Sequence, residues 1–164
     1  MNALAIFGIS ALMSTIASAI VAILYLWPRL RSLEQKRALA ALVAPHMVRF
    51  VGLSLLVPGV VSPLLPAAFA VPTAYGDFIA CVLAIIATIA LLNGAPWAIP
   101  AAWVFNLWGT ADFLLAFYNG PHSGLQPGAL GAAFYIVTAI VPALLVSHVL
   151  IFRLMVRPEL RKPA

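Results

Sequence analysis

Six side chains stand inside long apolar runs where they could carry charge, exchange a proton or hold a ligand: His46, Arg49, Asn106, Trp108, Asp112 and His148. Asp112 lies well within the stretch from Pro96 to Tyr118, together with Asn106 and Thr110. A carboxylate at that position is expected to face a bundle interior, a cavity or a partner, because setting it against lipid is costly. His46 and Arg49 share a helix face by their spacing of three, and Trp108 and Asp112 by their spacing of four. Arginine with histidine suits an anionic or lipophilic ligand, whereas a buried aspartate suits a proton or a cation. Two histidines on separate helices at similar depth could also ligate a b-type haem, and His46 with His148 is the one such pair. The chain contains no His-Glu-x-x-His helix, no serine nucleophile elbow and no glycine-rich phosphate loop, so no catalytic motif supports an enzyme. No metal site is expected either.

The elements that must position these residues are hydrophobic helices. Of the 164 residues, 65% are hydrophobic and 8% are charged, and the mean hydropathy is +1.11. A soluble domain carries about a quarter charged residues, so the composition points to an all-α integral membrane protein with one membrane domain. A net charge of +5 would suggest nucleic acid in a soluble protein. Here Lys and Arg flank the apolar runs, which is the pattern that fixes membrane orientation, and nucleic-acid binding is not expected. Cys81 is the single cysteine, so an internal disulfide is excluded.

The apolar runs predict five spans, at about 3–27, 45–65, 73–92, 96–118 and 129–156, separated by turn-rich or charged connections. Segment 28–44 carries Arg29, Arg31, Lys36 and Arg37 and reads as a basic cytoplasmic loop; 157–164 reads as a basic cytoplasmic tail. The connections after the second and fourth spans contain no Lys or Arg, which places the amino end outside and the carboxyl end in the cytoplasm. Pro58, Pro100 and Pro142 imply proline-distorted helices. Ser10, Ser14 and Ser18 form a stripe suited to close helix packing. Thr73 is expected to cap the third span, with Asp77 in its first turn as a favourable charge at the helix dipole.

Depth arithmetic at about 1.5 Å per residue sorts the polar residues into two layers. Arg49 and His148 fall roughly 9 Å to the cytoplasmic side of their span centres and Asp112 roughly 7 Å to the outside. A direct Arg49–Asp112 salt bridge is therefore not expected. The inner layer comprises His46, Arg49, Ser147 and His148 with Arg153 at its boundary, and the outer layer gathers Asp112, Asp77, Tyr75, Tyr118 and His122. Thr110 is expected to bond a backbone carbonyl one turn back.

Five spans in a chain of this length resemble the translocator-protein family of cholesterol- and porphyrin-binding membrane proteins. The resemblance is one of architecture, without that family's tryptophan- and proline-rich segment, and it implies no residue roles. Lys36 and Lys162 lie outside the spans, unlike the retinal-binding lysine of microbial rhodopsins. The leading functional expectation is a multi-pass cell-membrane protein that binds or transports a small lipophilic or ionic ligand. The alternatives are a structural or assembly subunit of a membrane complex, including a homo-oligomer, and a b-type haem redox protein.

Overall fold

The computed structural model describes residues 2–156, so the basic tail expected at 157–164 lies outside the described residues. Among these residues the chain is helical almost throughout, with no strand. Four segments are long and apolar enough to cross a membrane: α1 (Ala3–Leu30), α2 (Gln35–Leu56), α3 (Ala67–Leu92) and α5 (Ile136–Val156). Between the last two lies α4 (Ala98–His122), a helix of 25 residues that carries Asn106 and Asp112. This is the make-up of a membrane helical bundle.

Helix boundaries differ from those read in the sequence, and the differences have physical causes. The segment expected as a basic loop at 28–44 instead begins α2 at Gln35. Its run from Ala38 to Val43 is apolar enough to be buried in the bundle. Its polar start is tied down by Gln35 Nε2 donating to the Leu154 carbonyl at 3.0 Å and Lys36 Nζ donating to the Gly94 carbonyl at 3.1 Å. At Ala44–Pro45 the helix tightens to a 3-10 form that continues to Leu56, where Val57, Pro58 and a left-handed Gly59 (φ 87°) end it. The third helix starts at Ala67 rather than Thr73, directly after Pro66. The fourth runs on to His122.

Two prolines distort the long helices in the same way, whereas Pro72 and Pro121 sit inside regular α-helix, Pro100 lies in the first turn of α4 and Pro58 follows the end of α2, so neither of the last two distorts a helix as expected. The stretch Ala22–Leu26 ahead of Pro28, and Ile136–Ile140 ahead of Pro142, both widen to π-helix. A proline supplies no N–H to the carbonyl four residues before it, and a widened turn accommodates the gap. Thr138 Oγ donates to the Phe134 carbonyl at 2.8 Å within the second of these turns.

Two apolar clusters hold the bundle. One joins Leu39, Val43, Ala84, Ala87, Phe105, Ile151 and Leu154; the other joins Leu55, Phe69, Ala74, Leu130 and Ala133. Small residues on α3, among them Ala74, Ala80, Ala84 and Ala87, are fully buried. In a bilayer lipid is as apolar as the core, so close packing of small residues, rather than exclusion of water, drives such contact. The first helix is peripheral: Phe7 packs on Phe134, just ahead of α5, with ring centroids 5.9 Å apart, and Ser14 Oγ donates to the Ala139 carbonyl of α5 at 3.3 Å. That bond accounts for one member of the serine stripe.

Candidate functional site

The tight geometry of α2 sets the site. In a 3-10 helix the residues at i and i+3 eclipse one another, so a spacing of three gives a straight stripe. The buried residues of this segment are His46, Arg49, Gly52 and Leu55, which is such a stripe, and it faces α3, α4 and α5. Runs of this length are uncommon for 3-10 helix, and here the conformation puts a histidine, an arginine and a glycine in line.

Arg49 is 2% exposed, so it does not snorkel to lipid headgroups. Its guanidinium is satisfied on every side. Nε donates to Asp77 Oδ1 on α3 at 2.7 Å, and Nη2 donates to Asp112 Oδ2 on α4 at 2.5 Å. Nη1 donates to the Gly109 carbonyl at 3.4 Å and approaches His148 Nε2 on α5 at 3.3 Å. The guanidinium carbon stands 3.9 Å from the centroid of the Phe113 ring, a favourable cation–π placement. Behind His148, Nδ1 meets Asn106 Oδ1 at 2.6 Å, and Asn106 Nδ2 donates to the His148 carbonyl at 3.4 Å. With Asn106 accepting, His148 carries its proton on Nδ1 and leaves Nε2 to accept from Arg49. Four helices are thus joined through one arginine.

This arrangement overturns the two polar layers and the separation of Arg49 from Asp112. The cause lies in the helix bounds and the rise. Because α2 spans Gln35–Leu56, Arg49 falls beyond its centre rather than near its start. Because α4 continues to His122, Asp112 falls near its middle. The 3-10 segment also climbs about 2.0 Å per residue rather than about 1.5 Å. All three corrections bring the charges level. Asp77, expected as a helix-dipole charge, is instead ten residues into α3 and bound to Arg49.

Three glycines make room for the cluster. A Cβ at Gly52 would overlap the Asp77 carboxylate, and one at Gly76 would overlap Asp112 Oδ1. One at Gly109 would sit 2.6 Å from His148 Cε1 and 2.9 Å from Arg49 Nη1. Each of α2, α3 and α4 therefore brings its backbone up against a charged or polar partner where a side chain is missing. Trp108 Nε1 donates to the Gly76 carbonyl at 3.3 Å, which bridges α4 to α3 at the same level.

Other expected members behave differently. His46 is fully buried and packs on His148 with ring centroids 4.3 Å apart and on Phe105 at 4.9 Å, but neither of its nitrogens has a hydrogen-bond partner among the described residues. The two imidazoles are in direct contact, and both nitrogens of His148 are engaged. No gap remains for a porphyrin plane between them, so these residues do not fit a b-type haem. Thr110 Oγ, expected to bond a carbonyl one turn back, has no partner among the described residues. Ser147 turns away to donate to the Leu42 carbonyl at 2.9 Å. Arg153 lies over the Trp27 ring at 4.0 Å, apart from the cluster. His122 and Tyr118 stack on each other at the end of α4. The residues the sequence reading missed are Asp77, Phe113 and the glycine set; the signal for them was glycine inside apolar helices, which small-residue packing alone did not require.

Beside the cluster lies a cavity of about 440 Å³. Its wall is apolar for the most part, formed by residues such as Phe7, Phe69, Phe113, Leu130 and Leu145, and it includes Gly52, Thr73 and Asp77. The carboxylate of Asp77 thereby touches both the ion network and the cavity. Among the described residues no group of His, Cys, Asp and Glu could hold a metal ion.

Residues 6–156 match the family described as a domain of unknown function, DUF8737, and the chain belongs to that family. Neither a curated protein nor a solved structure matches it.

Proposed function

We propose that this member of the DUF8737 family is a multi-pass protein of the cell membrane that binds a small lipophilic ligand in the cavity lined by α1, α2, α3, α4 and α5. The observation that carries the reading is the cavity itself: about 440 Å³, apolar, and touched by one carboxylate. Ligand sites are typically concave, mostly apolar, about 300–1,000 Å³ in volume and furnished with few polar groups. The network behind Asp77 holds that carboxylate in place, because Arg49 Nε fixes its Oδ1.

The reading takes α4 as a fifth span. With five, the connections 57–66 and 123–135, which lack Lys and Arg, fall on the outer side, and Arg29, Arg31, Lys36 and Arg37 fall on the cytoplasmic side. Mass spectrometry of the intact protein released from mild detergent tests the binding. A non-phospholipid mass is expected on the wild type and is expected to be lost from Ala116→Trp, whose indole would occupy the cavity that Ala116 lines. A bare wild-type protein, or a bound mass that survives Ala116→Trp, would overturn the reading.

A further inference from the structure

The ion network has one more carboxylate than it has cations. Arg49 contributes one positive charge against two carboxyl groups, Asp77 and Asp112, and His148 accepts from Arg49 through Nε2. Of the two carboxyl groups, that of Asp77 belongs to a residue on the cavity wall. Asp77 gives only Oδ1 to Arg49, while its Oδ2 lies close against the Gly52 backbone, where a Cβ would overlap it. Gly52 and Asp77 both line the cavity. One helical turn earlier, Thr73 lines the same wall, and its buried Oγ has no hydrogen-bond partner among the described residues. Thr73 and Asp77, with Thr15 of α1, are thus the side chains with oxygens among the lining of a mostly apolar, aromatic-rich chamber.

A pure hydrocarbon would fill this space and bring no hydrogen-bond donor to the second oxygen of Asp77, which is unfavourable for a buried polar group. An anion would meet the carboxylate head-on. Resting on the cavity reading above, we propose that the ligand is a lipophilic amine in its protonated form, with an N–H donor for Asp77 Oδ2 and Thr73 Oγ and an apolar body against the phenylalanine rings. Phe69 and Phe117 line the same wall, and aromatic rings attract a cation as well as an apolar group.

Phenylbutylamine and its uncharged isostere pentylbenzene test this by competition for the site in proteoliposomes at neutral pH. Wild type is expected to favour the amine by about tenfold or more, a margin of about 1.4 kcal/mol. The ratio of amine to hydrocarbon affinity is expected to fall towards one in Asp77→Asn, read as a ratio so that a general loosening of the site cancels. Thr73→Val should lower the ratio without abolishing the preference. Equal binding of the two probes to wild type, with both blocked by Ala116→Trp, would overturn the amine assignment and leave the cavity reading standing. Binding of neither probe to wild type would overturn both.

Discussion

Replacing Arg49 should damage the protein far more than replacing either aspartate, and the asymmetry follows from the charge count. Each Arg–Asp pair, with N–O distances of 2.7 and 2.5 Å, corresponds to a Coulomb attraction of about 4 kcal/mol at a charge separation near 4 Å and an effective dielectric of about 20. Desolvation offsets much of that attraction in the intact cluster. Removing the shared cation leaves two buried carboxylates facing each other, and breaking a buried pair in this way costs about 3–5 kcal/mol. Arg49→Met keeps much of the stem volume, so its cost reports the charge rather than a hole. Asp112→Asn or Asp77→Asn instead leaves one cation with one carboxylate, and the amide oxygen still accepts from the guanidinium, so a cost of about 1 kcal/mol is expected. Equilibrium unfolding in mixed micelles, titrated with SDS, reads all three variants on one scale. If either Asp→Asn variant is as destabilised as Arg49→Met, charge balance does not govern the cluster and the reasoning fails.

Other expectations bear on the parts around the arginine. His46→Phe removes two buried nitrogens that lack partners from a pocket made by Phe105 and His148, so stability in the same assay should be unchanged or rise by up to about 2 kcal/mol; a clear loss would mean that His46 holds a needed bond. Gly109→Ala and Gly76→Ala drive a methyl into the cluster and should each cost about 1–3 kcal/mol, whereas Gly8→Ala on α1, with open space around it, should gain about 0.5–1 kcal/mol from helix propensity. Equal effects at all three glycines would contradict the packing described. Single cysteines at Leu64 and Ser123 should react with an impermeant thiol reagent added outside cells, and one at Ser32 should not; the native Cys81 is buried, with Sγ on the Met47 carbonyl at 2.9 Å, and should stay silent. Labelling at Ser32 from outside would reverse the orientation.

Composition and apolar run length were enough to read a helical membrane bundle from the sequence, because lipid leaves few other ways to satisfy a backbone. The same residues misled at the level of the site. Asp77 reads as a helix-start charge only if α3 begins at Thr73; six further residues of helix, admitted because Pro66 rather than Thr73 marks its edge, carry it inward to Arg49. Lys36 and Arg37 look like loop residues, yet their neighbours from Ala38 to Val43 pack inside the bundle, and this shifts the depth of everything after them on α2. No periodicity rule for α-helices would align His46, Arg49, Gly52 and Leu55, since only a three-fold repeat does so. The glycines were the most informative residues in retrospect: Gly52, Gly76 and Gly109 sit on three different helices, each opposite a polar group that its missing side chain admits. A bundle that needed only close packing could use alanine at those places, as α3 does at Ala80, Ala84 and Ala87. Glycine is required where a charged or polar group, and not merely a backbone, must be let in, and at Gly52 the omission lets the Asp77 carboxylate lie against the backbone of α2.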